Sequence, residues 1–119
     1  MGVFLAVVIS ASARADDEGV SISEAQPDKS GFLVHMVQSP YQDKVTQIRV
    51  LQPDGLTKEQ KVPVVYVLPV EAETGNRYGD GMEEIKKLDL HNKFGIMFVG
   101  PTFSQLPWYA DHPTDPLLR

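Results

Sequence analysis

The stretch from Val62 to Gly100 constrains the fold more than any other part of the chain. It opens with an unbroken apolar run, Val62-Pro63-Val64-Val65-Tyr66-Val67-Leu68. A loop carrying Gly75-Asn76 follows, then an amphipathic segment from Gly79 to Asn92. It closes on a second apolar run, Gly95-Ile96-Met97-Phe98-Val99-Gly100. Apolar run, helical pattern and apolar run make the signature of a βαβ unit. Strands joined by a helix lie parallel, and parallel strands are normally buried on both faces, which accounts for runs without polar alternation. Ligands in such sheets sit outside the carboxyl ends of the strands, so a site is expected between the loop after Leu68 and the loop after Val99.

The rest of the chain supplies further strands. Phe32 to Gln38 has strand composition and is broken by Ser39-Pro40. His35 inside it reads as a packed strand residue rather than a ligand. Val45 to Leu51 alternates, with Val45, Gln47 and Arg49 on one side and Thr46, Ile48 and Val50 on the other, as a half-buried strand does. Gln52-Pro53-Asp54-Gly55 is a turn, and the short link between the two strands predicts an antiparallel pair at the sheet edge. Asp80 is placed to cap a helix in which Met82, Ile85 and Leu88 or Asp89 share a face, Lys86 and Lys87 point outward, and Asn92 ends the run.

Composition limits what such a chain can do. Its 119 residues allow one domain at most, and an apolar content of 42% is enough for a core. A net charge of -5 without any Lys/Arg run speaks against nucleic acid as a partner. With no cysteine there is no disulfide, thiolate metal site or thiol nucleophile. No stretch approaches the roughly 20 apolar residues of a membrane span. At the N-terminus, Val3 to Ile9 is apolar and Ala13-Arg14-Ala15 has the A-x-A pattern, so residues 1–15 read as a signal peptide cleaved after Ala15. The expected location is therefore secreted or periplasmic. The same run also has the length of a buried first strand. Residues 16–31 read as a polar lead-in.

Three patterns in the chain bear on chemistry. Asp111-His112 with Asp115 suggests a metal or acid/base group, but the spacing demands no further ligand, and the residues adjoin prolines as in ordinary turns. No metal or other cofactor is expected. No serine lies in a G-x-S-x-G elbow, and Ser104 with His112 as base would sit in a proline-rich loop that holds such a pair poorly. Gly75, Gly79 and Gly81 fit neither phosphate-binding fingerprint. After Val99 the chain holds four prolines between Pro101 and Pro116, together with Phe103, Trp108, Tyr109 and His112, the composition of a pocket wall.

Val64-Val65-Tyr66-Val67-Leu68-Pro69-Val70, Phe98-Val99-Gly100-Pro101-Thr102-Phe103 and Leu106-Pro107-Trp108-Tyr109-Ala110-Asp111-His112-Pro113 together resemble the N-terminal half of the α/β-hydrolase superfamily. Nearest is the secreted esterase group related to esterase D and to feruloyl and acetyl xylan esterases. The resemblance covers about residues 32–119. It implies a partial, truncated α/β-hydrolase sheet: an antiparallel N-terminal strand pair plus a parallel βαβ unit. The implied activity is that of a serine-type carboxylic ester hydrolase acting on a small-molecule or carbohydrate ester, with the Ser-Asp-His triad beyond Arg119 and this chain alone inactive. Backbone N–H groups of Val70 and Glu71 match the oxyanion loop. Pro69-Val70-Glu71 stands where many relatives carry His-Gly. Tyr78, Phe103, Trp108 and Tyr109 are the expected substrate pocket. A sheet of this size with one helix should also leave an unpaired parallel edge at the last strand and aggregate or stay molten when expressed alone. The alternative is a small secreted βαβ binding module whose aromatic loop holds a carbohydrate or another small molecule.

Overall fold

The computed structural model describes residues 14–15 and 19–104. Its β-branched and alternating runs form strands of one mixed sheet: β1 (Arg14–Ala15), β2 (Ser21–Ile22), β3 (Gln26–Pro27), β4 (Leu33–Gln38), β5 (Thr46–Leu51), β6 (Val64–Tyr66) and β7 (Met97–Pro101). Two short helices, α1 (Gly81–Lys87) and α2 (Leu90–Phe94), lie between β6 and β7. The order across the sheet is β1-β2-β4-β5-β7-β6, with β3 on β4 beside β2. Only β6 and β7 are parallel, with Val64, Val65 and Tyr66 opposite Met97, Phe98 and Val99. The architecture is α/β-like, and the expected parallel strand–helix–strand unit is present. No helix among the described residues is long and apolar enough to cross a membrane.

Several placements differ from those read in the sequence. The antiparallel pair β4–β5 forms as expected, with His35 opposite Ile48, but it lies inside the sheet because β5 also pairs with β7. Residues of the lead-in are built into the sheet: β2 and β3 pair with β4, and Ser23 bonds Met36 through both its N–H and its hydroxyl. The unpaired parallel edge is β6 rather than the last strand. Its residues, expected to be buried on both faces, are exposed, at 46% for Val64, 41% for Val65 and 69% for Tyr66. β7 slots between β5 and β6, so β6 has a neighbour on one side only among the described residues.

The single predicted helix is broken. Asp89 adopts the left-handed conformation at φ +56°, which Asp tolerates better than most residues, and it separates α1 from α2. Leu88 is thereby turned out to solvent, and Leu90 packs on the core in its place. The stop is Gly95 at φ +62° rather than Asn92. Asn92 instead clips α2 to the turn after β5: its side-chain oxygen accepts from Asp54 N–H at 2.8 Å, and its amide donates to Asp54 and Asp89. Lys86 does not point away. Its ammonium lies 5.3 Å from the Phe32 ring centre.

The core is small and one-sided. Phe32, Leu51, Met82 and Phe98 are buried together, with Val34, Val67, Ile85, Leu90 and Ile96 packed around them. Both helices contribute to this cluster, so both lie on the sheet face that carries Leu51 and Phe98. Alternation puts Leu33, Val37, Ile48, Val50, Val99 and Tyr66 on the other face, where no described helix packs. The more polar row of β5 ends in Arg49 and Leu51 under the helices, and its apolar row is the uncovered one.

Gly100 fixes the distance between α1 and the sheet. A Cβ there would lie 2.7 Å from Met82 Cγ and 3.0 Å from its Sδ. Because Met82 is 2% exposed, it has nowhere to retreat. Gly100→Ala is expected to lower stability in urea unfolding by about 1–3 kcal/mol through overpacking. Met82→Ala, which leaves a cavity, is expected to cost about 2–5 kcal/mol. The double variant should cost less than the two added together, since the added methyl occupies part of that cavity. Additive costs would show that the contact does not set the spacing.

Candidate functional site

The loops after β6 and β7 meet at the carboxyl ends of the two parallel strands. Glu73 N–H donates to the Phe103 carbonyl at 2.7 Å, and Lys44 pairs with the Glu73 carboxylate, tying both loops to the start of β5. Glu73 holds a left-handed φ of +55° to make that turn. A cleft of about 350 Å³ opens beside this junction. Its walls are residues 67–71 and 78–82, with Arg49 and Gly100 among the lining residues.

Three of the sequence-predicted residues reach this cleft: Val70, Glu71 and Tyr78. Neither Val70 nor Glu71 N–H has a protein acceptor among the described residues. The Glu71 carboxylate accepts the Tyr78 N–H at 3.4 Å, which closes the loop across its base. Tyr78 itself is 72% exposed at the rim. Phe103 does not line this cleft. It lies on a neighbouring hollow of about 220 Å³, with Lys44, Thr46, Thr102 and Ser104. Trp108 and Tyr109 lie outside the described residues, as do Asp111, His112 and Asp115 and the signal-peptide run Val3 to Ile9.

Arg49 and Asp80 form the site's electrostatic anchor, and sequence reasoning missed the pairing. Arg49 Nη1 donates to Asp80 Oδ2 at 2.7 Å and Nη2 to Oδ1 at 2.9 Å, a two-pronged contact from β5 to the start of α1. Asp80 Oδ1 also accepts from Met82 N–H at 3.0 Å and Glu83 N–H at 3.4 Å, so the expected helix cap is confirmed by geometry. The guanidinium stacks 5.2 Å from the Phe32 ring centre. Hydrogen bonding from Arg49 holds the Asp80 carboxyl below the ordinary aspartate value, outweighing the opposing effect of partial burial. The one signal in the sequence was a cation in the strand row that later carries Leu51.

The remaining candidates have structural partners. His35 Nδ1 bonds the Ser23 carbonyl at 2.9 Å, which makes it a strand clip. Ser104 is buried, and its N–H and hydroxyl both reach Gln42 Oε1, at 3.0 and 3.3 Å. Among the described residues, no group of three or more His, Asp or Glu side chains converges on a possible metal position. No family model, curated protein or solved structure matches the chain.

The Arg49–Asp80 pair gives the site an acid limit. A carboxylate held below its ordinary value of 3.8 contributes stability above that pH, and the contribution is lost as pH falls through the lowered folded-state value. Asp80→Asn is expected to cost about 1–3 kcal/mol at neutral pH and to flatten the loss of stability below about pH 4. Asp80→Ala should cost about 1 kcal/mol more, because the helix cap goes as well. Urea midpoints measured from pH 3 to 7 decide this; an Asp80→Asn curve parallel to wild type would rule out the pair as the acid-sensitive link.

Proposed function

We propose that this chain is the N-terminal portion of a serine-type carboxylic ester hydrolase of α/β-hydrolase architecture, and that it supplies half of the oxyanion hole. The single observation that carries the reading is the pair of unengaged backbone N–H groups at Val70 and Glu71. They belong to the loop between β6, the third of the strands longer than two residues, and the first helix, beside the cleft at the carboxyl ends of parallel strands. In α/β-hydrolases the loop after the third strand donates one N–H to the oxyanion, and the residue after the nucleophile donates the other.

The chemistry follows from charge. Attack on an ester carbonyl by a serine alkoxide equivalent moves negative charge onto the carbonyl oxygen in the tetrahedral intermediate. A preorganised N–H stabilises that oxygen without reorganising at the moment of reaction. Arg49 and Asp80 hold the far end of the loop, at Asp80, to β5, and the Lys44–Glu73 pair holds its middle. The carboxylate of Glu71 would oppose an oxyanion if it faced one, and its contact with Tyr78 N–H gives it another partner. Tyr78 at the rim is placed to meet the acyl or alcohol group, and the aromatic residues Trp108 and Tyr109 complete the proposed pocket. The nucleophile, its acid and its base belong beyond Arg119. Export follows from the same reading, with cleavage after Ala15, and the mature chain would then lose β1.

The reading frame downstream of the Arg119 codon is the first test: G-x-S-x-G following a further helix and strand is expected. In that longer polypeptide, replacing the amide that serves the oxyanion, by Val70→Pro or Glu71→Pro, should lower kcat by about 10²–10³ with little change in KM. Ester turnover by the 119-residue chain alone, blocked by a serine-directed reagent, would refute the placement of the nucleophile. Mass spectrometry of exported protein should give Asp16 as the first residue.

A further inference from the structure

The charges around the cleft point to the kind of molecule it holds. This inference rests on the esterase reading for the ester bond and on the cleft alone for the charge. Arg49, Glu71, Glu73, Asp80 and Glu84 are the charged residues that line it. Arg49 and Asp80 pair with each other, Glu73 with Lys44, and Glu84 with Lys87 at 3.6 Å. Glu71 is the exception, with no ion pair among the described residues. Arg77, the one cation of the same loop, neither lines the cleft nor reaches it. The Tyr78 N–H at 3.4 Å is a long hydrogen bond and brings no full charge. A carboxylate drawn partly out of water without a cation costs free energy, and a cationic ligand relieves that cost.

The loop leaves room for this side chain. Gly75 does not take the left-handed backbone that calls for glycine elsewhere in the chain, so its bare Cα serves space rather than conformation. A Cβ there would lie 2.9 Å from Glu71 Cβ and 3.3 Å from its Cδ. The N–H contact sets Tyr78 next to the carboxylate, and Tyr78 is exposed at the rim. A carboxylate beside an aromatic residue, in the wall of a cleft, suits an organic ammonium ion. Glu71 also carries one of the two N–H groups proposed for the oxyanion, so the positive charge belongs within a few bonds of the reacting carbonyl. Left alone, the Glu71 carboxylate would repel the developing oxyanion, and a bound cation cancels that repulsion.

We propose that the cleft takes an ester bearing a positively charged ammonium group a few bonds from the scissile carbonyl, and that the Glu71 carboxylate and the Tyr78 ring select that charge. Neutral esters forgo the ion pair, and esters with an acidic group near the carbonyl are repelled.

The complete polypeptide encoded by the reading frame that contains this chain is the protein to test. Ligand-observed nuclear magnetic resonance with choline, against its uncharged isostere with carbon in place of nitrogen, reads the charge site without any turnover. Choline is expected to bind about tenfold more tightly than the isostere. Glu71→Gln keeps an acceptor for the Tyr78 N–H and should remove that advantage, and Tyr78→Leu should reduce it about threefold. With the acetate esters of the same two alcohols, kcat/KM should favour the choline ester by about tenfold to hundredfold, and Glu71→Gln should erase the preference. Turnover of both esters without a preference, or a preference that survives in Glu71→Gln, overturns this inference and leaves the esterase reading standing. Glu71-dependent choline binding with no turnover of either ester keeps the cation site and refutes the esterase reading. Choline that binds no better than its isostere overturns the inference whatever the turnover. Should Glu71→Gln fail to fold, the comparison of choline with its isostere on the unaltered protein decides alone.

Discussion

The two-pronged contact between Arg49 and Asp80 is the interaction on which the arrangement of this protein depends. It joins a strand to the N-cap of a helix, and Asp80 at the same time answers two of the backbone N–H groups that a helix start leaves without partners. The helix so anchored carries Met82 onto Gly100, and its other end carries Lys86 over Phe32. Because α1 has only 7 residues, its own hydrogen bonding supplies little stability, and the anchor and the Met82 contact hold it in place. The loop from residue 67 to residue 80 inherits its position from that helix start, and the cleft walls follow from the loop.

The second governing fact is asymmetry. Helices cover one face of the sheet and, among the described residues, leave the other face and the β6 edge without cover. A parallel strand pair is usually shielded on both sides, because each crossover helix covers one face and the next crossover covers the other. This chain has one crossover within its described residues, so one face is served. The esterase reading draws on the loops at the strand ends.

Much of the fold could be read from residue order. Val64-Val65-Tyr66 and Met97-Phe98-Val99 were legible as parallel strands, since a β-branched run, an amphipathic segment and another run leave few alternatives. Asp80 was legible as a cap because side-chain oxygens at that position serve the same purpose in any helix. The site was legible in part. The rule that ligands gather at carboxyl ends of parallel strands placed a cleft between the loops after β6 and β7; Val70, Glu71 and Tyr78, named through the resemblance, line it, while Phe103 lies on the neighbouring hollow. The break at Asp89 was not legible, because apolar spacing through Leu88 continues a helix pattern that only a left-handed backbone interrupts.

The sequence by itself determined the strands β4, β5, β6 and β7, a helical segment between β6 and β7, and Asp80 as the cap of the first helix. These follow from local conformational preference and the period of apolar residues, and each is decided within a few positions of the chain. Only the tertiary structure decided that Arg49 meets Asp80, that β7 enters between β5 and β6 and leaves β6 at the border, and that the apolar row of β5 is the uncovered one. Those outcomes depend on which strand pairs with which and on the face the helices choose. Both are settled by contacts between residues 30 or more positions apart, such as Arg49 with Asp80, which no local pattern encodes.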